Sequence, residues 1–170
     1  MWVKLCGAAL VFAASTALGQ VIAGNIAARP RHLCDLVSAL EILGTEIAYA
    51  ARPLPQALRG AGDGVDGPVG ALLLRAAQLV ETQPAAVGWR QALAESSRRL
   101  ALVQKDVGAL MALAPVLGRS DRNDQVRHLR LAIERLKRLE VEAEAARARG
   151  EQVWRYLGPL CGLGAAVLLL

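Results

Sequence analysis

The sequence predicts an all-α protein in which a helical middle lies between two apolar ends. Hydrophobic residues make up 54% of the 170 residues, but aromatic residues make up only 4%. The hydrophobic residues are instead rich in Ala and Leu, which favour helices. The long β-branched alternations that are typical of strands are absent from the sequence. All 15 acidic residues and all but one of the 20 Lys and Arg residues lie between Arg29 and Arg155, so both ends are almost uncharged.

The first apolar end has the length of a membrane anchor. Residues Leu5–Ala28 carry no charge over about 24 positions, and a spanning helix needs about 20. Arg29 and Arg31 follow at once, and positive residues hold their flank in the cytoplasm. The sequence therefore predicts an N-terminal transmembrane anchor over residues 1–28.

The second apolar end is shorter. Residues 156–170 form about 22 Å of helix at 1.5 Å per residue, less than the ~30 Å of a bilayer core. Local thinning, with Trp154 and Tyr156 at the interface, can make up the difference, and a buried or interfacial tail is the other interpretation. Three arginines precede this end: Arg147, Arg149 and Arg155. Positive residues therefore flank residues 29–155 on both sides, which predicts a cytoplasmic helical bundle there and a C-terminal membrane segment over 156–170.

Small residues recur at every fourth position in both apolar ends. This spacing places them on one helix face, where two backbones can approach closely in lipid. They are Ser15, Gly19 and Ala23 in the first end and Gly158, Gly162 and Ala166 in the second. We expect these positions to pack membrane helices together.

The middle of the chain divides into helices at its prolines and glycines. Apolar residues at intervals of three and four predict a first helix from Pro30 to about Ala51. Pro53 and Pro55 end it and begin the next, and the glycine-rich residues 60–68 are predicted to be a flexible loop. Four further helices are expected over 68–81, 89–102, 105–118 and about 120–150.

The start of the last helix carries the densest pattern. Gly118 suits the left-handed end of the preceding helix, and the side chain of Ser120 or Asp121 can cap the next one. Asp124 faces His128 one helical turn away. The apolar residues that follow share one helix face, which we expect to face the core: Val126, Leu129, Ile133 and Leu136.

No recognisable catalytic or metal-binding pattern accompanies this stretch. The chain has neither a GxSxG nor an HExxH motif, no phosphate-binding GxxxxGK[ST] loop, and no metal-ligand spacing among its three cysteines. Its two histidines have no evident nucleophile or metal partner, and Asp63 and Asp66 match only a fragment of a calcium loop. We therefore predict a non-enzymatic protein without a cofactor or a metal.

The positive charge indicates lipid rather than nucleic acid. The net charge of residues 29–155 is +4, from 19 basic and 15 acidic residues, and the bundle offers few stacking platforms besides Tyr49 and Trp89. Anionic lipid and membrane topology explain a mild positive charge beside a bilayer. We expect no nucleic-acid partner.

Three blocks of sequence identify a family resemblance. They are RPRHLCDLVSALEILGTEIAYAARPLPQAL, LGRSDRNDQVRHLRLAIERL and WRYLGPLCGLGAAVLLL. Together with the apolar start they resemble the stage III sporulation protein AB family of endospore-forming bacteria over nearly the whole chain, least clearly in residues 82–104. The family-pattern residues are Glu46, Pro53, Leu54, Pro55, Gly118, Ser120, Asp121, Gln125 and His128. Gly44 departs from the pattern, which has a larger or charged residue there.

The resemblance implies a membrane protein of sporulation. Such proteins are similar to the helical platform subunit of type II secretion and type IV pilus machines, and they belong to a channel complex that the mother cell assembles around the forespore. The implied partners are a secretion-type ATPase, other membrane subunits and lipid, with self-association left open. The implied location is the outer forespore membrane, with the bundle in the mother-cell cytoplasm.

The resemblance also suggests where the ATPase docks. We expect the turn at Ser120 and Asp121, with Gln125 and His128, to lie on or just behind the docking face. The alternative is that these residues only fix a turn between two helices, because each has a capping role available.

A second function class remains open from the residues alone. Lys4 and the small residues Ala17-Leu18-Gly19 also fit a cleaved signal peptide. The mature chain is then an exported helical protein that binds envelope components. The mass of the mature protein distinguishes this alternative from a retained anchor.

Overall fold

The computed structural model describes residues 28–50, 52–119 and 121–169, with side-chain surroundings as far as residue 149. These residues form helices joined by turns, and no strand occurs among them, so the predicted all-α class is confirmed. In chain order the helices are α1 (28–48), α2 (Leu54–Asp63), α3 (Gly67–Thr82), α4 (Ala85–Ser96), α5 (Gln104–Met111) and α6 (Arg122–Leu169).

Helix α1 supplies one wall of the core. Pro30 lies in its first described turn, where proline costs little. Its leucines recur at intervals of three and four and are almost fully buried: Leu33, Leu36, Leu40 and Leu43. The periodicity that predicts this helix is therefore the periodicity of its buried face.

The predicted flexible loop over 60–68 is wrong over its first half. Helix α2 continues to Asp63, and only residues 64–66 connect it to α3. The glycines let the two helices touch, since a Cβ atom on Gly70 would lie only 2.7 Å from the carbonyl oxygen of Gly62. Close packing, not flexibility, explains the glycine-rich composition here.

A buried tryptophan joins α4 to α5. Trp89 is fully buried, and its Nε1–H donates a 2.8 Å hydrogen bond to the carbonyl oxygen of Leu110. After α5 the chain continues through turns over residues 112–119, whose leucines Leu113 and Leu117 still belong to the core.

Helices α1 and α6 lie side by side in opposite directions. Glu41 in the middle of α1 accepts a 2.8 Å hydrogen bond from the Lys137 ammonium group of α6. Ala28 of α1 and Ala146 of α6 line one cavity, while Ala48 and Val126 line another. The bundle thus has two ends. At the flank end the first described turn of α1 lies beside Ala146, and at the turn end α1 stops beside the start of α6.

The predicted membrane segments remain predictions. Within the described part of the chain, no helix combines the length and apolarity needed to cross a bilayer. Except for Ala28, the predicted anchor 1–28 lies outside the described residues, as do its small residues Ser15, Gly19 and Ala23. Gly158, Gly162 and Ala166 lie within α6, which continues past the predicted end at Gly150 to Leu169.

Candidate functional site

The turn end brings together the two segments that contain the family-pattern residues. Gly118 has a φ of +72°, and a Cβ atom placed on it would lie 3.0 Å from the Cβ of Ala85 and 3.2 Å from Cδ2 of Leu54. The turn before α6 therefore rests on the first turns of α2 and α4. Residues 46–55 and 118–128, which are distant in sequence, meet in one region.

The predicted cap of α6 is confirmed at Asp121. Its carboxylate Oδ1 accepts a 2.7 Å hydrogen bond from the backbone N–H of Asp124, and its carbonyl accepts one of 3.0 Å from Gln125. The side-chain Oε1 of Gln125 in turn accepts a hydrogen bond from the N–H of Gly118. These bonds satisfy first-turn amides and tie the turn to the helix. Ser120 lies outside the described residues.

We expect the Gly118→Ala variant to be less stable by about 2 kcal/mol, because a left-handed backbone strains alanine and the new methyl group crowds Leu54. The matched control is Gly67→Ala. Gly67 has a φ of +80° but nothing within 4 Å of its added Cβ, so only the backbone strain of about 1 kcal/mol applies. Thermal unfolding followed by circular dichroism measures both. Equal losses would show that the close approach at Gly118 contributes nothing.

The other family-pattern residues at this end fix the start of α2. The carbonyl oxygen of Pro53 accepts hydrogen bonds from Gln56 at 2.9 Å and Ala57 at 3.1 Å, and Pro55 lies in the first turn, where no amide partner is lost. Glu46 packs against Gly60 of α2. The Oε2 atom of Glu46 is buried and lies 3.1 Å from Nη1 of Arg52. The two groups form an ion pair, but their geometry is not that of a hydrogen bond.

The two histidines have separate surroundings. Nε2 of His128 lies 3.6 Å from Oδ1 of Asp124, and its side chain is 34% exposed at the turn end. His32 belongs to the flank end, where its Nδ1 accepts a 3.0 Å hydrogen bond from the N–H of Ala101. Among the described residues, no group of three His, Cys, Asp or Glu side chains could hold a metal ion.

A groove that the sequence analysis missed follows the seam between α1 and α6. Two adjoining cavities of about 370 and 250 Å³ share Ala48, Tyr49, Val126 and Arg130. Tyr49 is 87% exposed beside this groove. Arg122, Val126 and Arg130 are spaced four residues apart and so share a helix face, which the sequence alone could indicate. Their proximity to Tyr49 could not be predicted from the sequence.

A buried ion pair at the flank end was also missed. Asp106 is fully buried and accepts two 2.8 Å hydrogen bonds from the guanidinium group of Arg29. The same carboxylate accepts a 2.9 Å bond from the N–H of Val103 at the start of α5. The bond to Asp106 raises the pKa of Arg29 above its ordinary value. This cluster holds the first described turn of α1 to the start of α5.

Comparison with known proteins gives consistent matches. The family model for stage III sporulation protein AB matches residues 4–170. The chain is 31% identical over 169 residues to the stage III sporulation protein AB of Bacillus subtilis (strain 168), covering 98% of this chain and 99% of that protein. A solved structure of stage III sporulation protein AB (SpoIIIAB) is similar with a TM-score of 0.67 and 29% identity, over 72% of this chain and 98% of that one.

Proposed function

Because this chain belongs to the stage III sporulation protein AB family, we propose that it is the non-enzymatic platform subunit of a sporulation membrane complex and couples a secretion-type ATPase to that complex. The family supplies the role in sporulation. The resemblance of this family to the platform subunits of secretion and pilus machines implies a secretion-type ATPase as the partner. The relatives are named as sporulation proteins rather than as enzymes, which agrees with a coupling role.

One observation carries the proposal: the family-pattern segments 46–55 and 118–128 meet at the turn end, while the first described turn of α1 lies at the opposite end of the bundle, beside Ala146 of α6. The first described residue of α1, Ala28, lies beside Ala146 of α6, and in the sequence the uncharged residues 5–28 lead directly into this part of α1. Both apolar flanks can therefore enter one bilayer, which leaves the turn end facing away from it. A partner in the cytoplasm can then contact the family-pattern residues at the turn end.

The membrane in this proposal is the outer forespore membrane, and the bundle faces the mother-cell cytoplasm. The arginines next to both apolar flanks support this orientation, because positive residues favour the cytoplasmic side. Complex subunits within the bilayer are the further partners, and the small-residue faces of the two flanks are suited to packing against them.

Co-purification with the sporulation ATPase of the same organism tests the proposal. The full chain is placed in nanodiscs and mixed with the ATPase, with and without nucleotide, and we expect stoichiometric binding. The double change Asp121→Ala/His128→Ala is expected to weaken binding at least about tenfold, the effect of removing one central contact. Loss of the Asp121 cap costs about 1 kcal/mol, so thermal unfolding must first establish that the variant is folded.

The matched control is the double change Arg75→Ala/Glu95→Ala. This pair, 2.7 Å apart, joins the exposed surfaces of α3 and α4 and includes no family-pattern residue. We expect it to bind the ATPase as the wild type does. A folded Asp121→Ala/His128→Ala variant with wild-type affinity would rule out docking through these side chains, and no binding by the wild type in any nucleotide state would overturn the coupling role.

A further inference from the structure

We infer that the groove between α1 and α6 at the turn end binds an acidic amphipathic helix presented by the ATPase. The inference rests on the proposed function and specifies the chemistry of the contact. It follows from three properties of the groove: an open apolar floor, a rim with unneutralised arginines, and an exposed aromatic residue.

The floor is apolar and has room for side chains of a partner. Leu40 of α1 lines it together with Leu129 and Ile133 of α6. Gly44 also lines it, and a Cβ atom added there meets nothing within 4 Å. Glycine destabilises a helix interior, and at this position it leaves space above the floor that no neighbouring side chain occupies.

The rim carries excess positive charge. Arg122, Arg127 and Arg130 of α6 line the outer part of the groove. Arg127 lies 3.5 Å from the Asp124 carboxylate, whereas Arg122 and Arg130 form no ion pair among the described residues. The one carboxylate that lines the inner part, Glu41, already pairs with Lys137 at 2.8 Å. Carboxylates of a partner therefore complement this rim.

Tyr49 supplies an anchoring contact at the end of α1. A side chain that is 87% exposed leaves its whole ring available, and tyrosine combines a large apolar surface with a hydroxyl group at a small entropic cost. Aromatic and arginine side chains together dominate the binding energy of many interfaces. An apolar floor with charged edges suits one face of an amphipathic helix, whose apolar residues fill the groove while its acidic residues meet the arginines.

Filling the groove tests the inference directly. In the full chain in nanodiscs, the Gly44→Leu variant places a side chain where the partner helix would pack, and we expect its affinity for the ATPase to fall at least about tenfold. The matched control is Gly108→Leu, because Gly108 is also helical and free of neighbours within 4 Å of an added Cβ, but it lies on the exposed side of α5. It is expected to bind as the wild type does.

A second variant tests the charge of the rim independently of the floor. Arg122→Ala/Arg130→Ala is expected to weaken binding and to flatten its dependence on salt, because two attractive charges are lost. If the wild type binds the ATPase and both folded variants bind equally well, the groove inference is wrong while the proposed function stands. If the wild type itself does not bind, both fail. Should Gly44→Leu not fold, the arginine variant alone decides the matter.

Discussion

Replacing Gly70 by alanine is expected to destabilise the bundle by about 3 kcal/mol, the upper part of the range for overpacking. The added Cβ would overlap the carbonyl oxygen of Val65 and lie 2.7 Å from that of Gly62. Both obstacles are backbone atoms, which cannot rotate away as a side chain can. The variant can relieve the overlap only by moving both the connector 64–66 and α2 away from α3, which opens the core beneath them.

The matched control for this variant is Gly108→Ala. Gly108 is helical and exposed, with nothing within 4 Å of an added Cβ. Alanine is favoured over glycine in such a position by about 0.5–1 kcal/mol, so this variant is expected to be more stable than the wild type. Thermal unfolding followed by circular dichroism measures both. A shift in the same direction for the two glycines would contradict the close approach of α2 and α3.

The Asp106→Ala variant is expected to lose about 3 kcal/mol, the lower part of the range for breaking a buried ion pair. It leaves the Arg29 guanidinium group, whose side chain is 19% exposed, without its partner, and it removes the acceptor for the N–H of Val103. The first described turn of α1 and the start of α5 are then no longer joined. Thermal unfolding of the full chain, followed by circular dichroism, measures the loss.

Two comparisons separate the buried pair from a general effect of removing charge. Glu41→Ala breaks an ion pair with Lys137 in which both side chains are more than half exposed, and we expect little change because such pairs contribute little. Replacing both Arg29 and Asp106 by leucine removes the buried charges together and is expected to recover part of the lost stability. An Asp106→Ala variant as stable as Glu41→Ala would contradict this account.

The sequence was sufficient for the elements whose stability comes from periodic apolar residues. The stripe predicted for the last helix is buried as expected, with Leu129 and Leu136 in the core and Val126 and Ile133 packed against it. The left-handed backbone at Gly118 was also predictable, since few other residues adopt it. The length of α2 could not be predicted, because a segment whose glycines permit close packing has the same local composition as a flexible glycine-rich loop.

The candidate site was predictable only in part. Asp121 is a recognisable helix cap from its neighbours in sequence, and the resemblance to a family selects both segments that meet at the turn end. The groove depends on Tyr49 lying beside Arg122 and Arg130, and the buried pair joins residues 77 positions apart. Neither the groove nor the buried ion pair has a local sequence pattern. Each forms only when helices that are distant in sequence pack together in the folded bundle.

The antiparallel pairing of α1 with α6 also determines the order in which the bundle can form during synthesis. Glu41 and Lys137 are 96 residues apart, so α1 leaves the ribosome long before the helix that lies beside it in the folded bundle. Helices α2, α3 and α4 are neighbours in sequence and can associate as they emerge, whereas closure waits for the final contacts of high sequence separation. We therefore expect a nascent chain interrupted within α6 to leave apolar side chains of α1, such as Leu40, without the α6 residues beside them, and to be more easily degraded than the complete bundle.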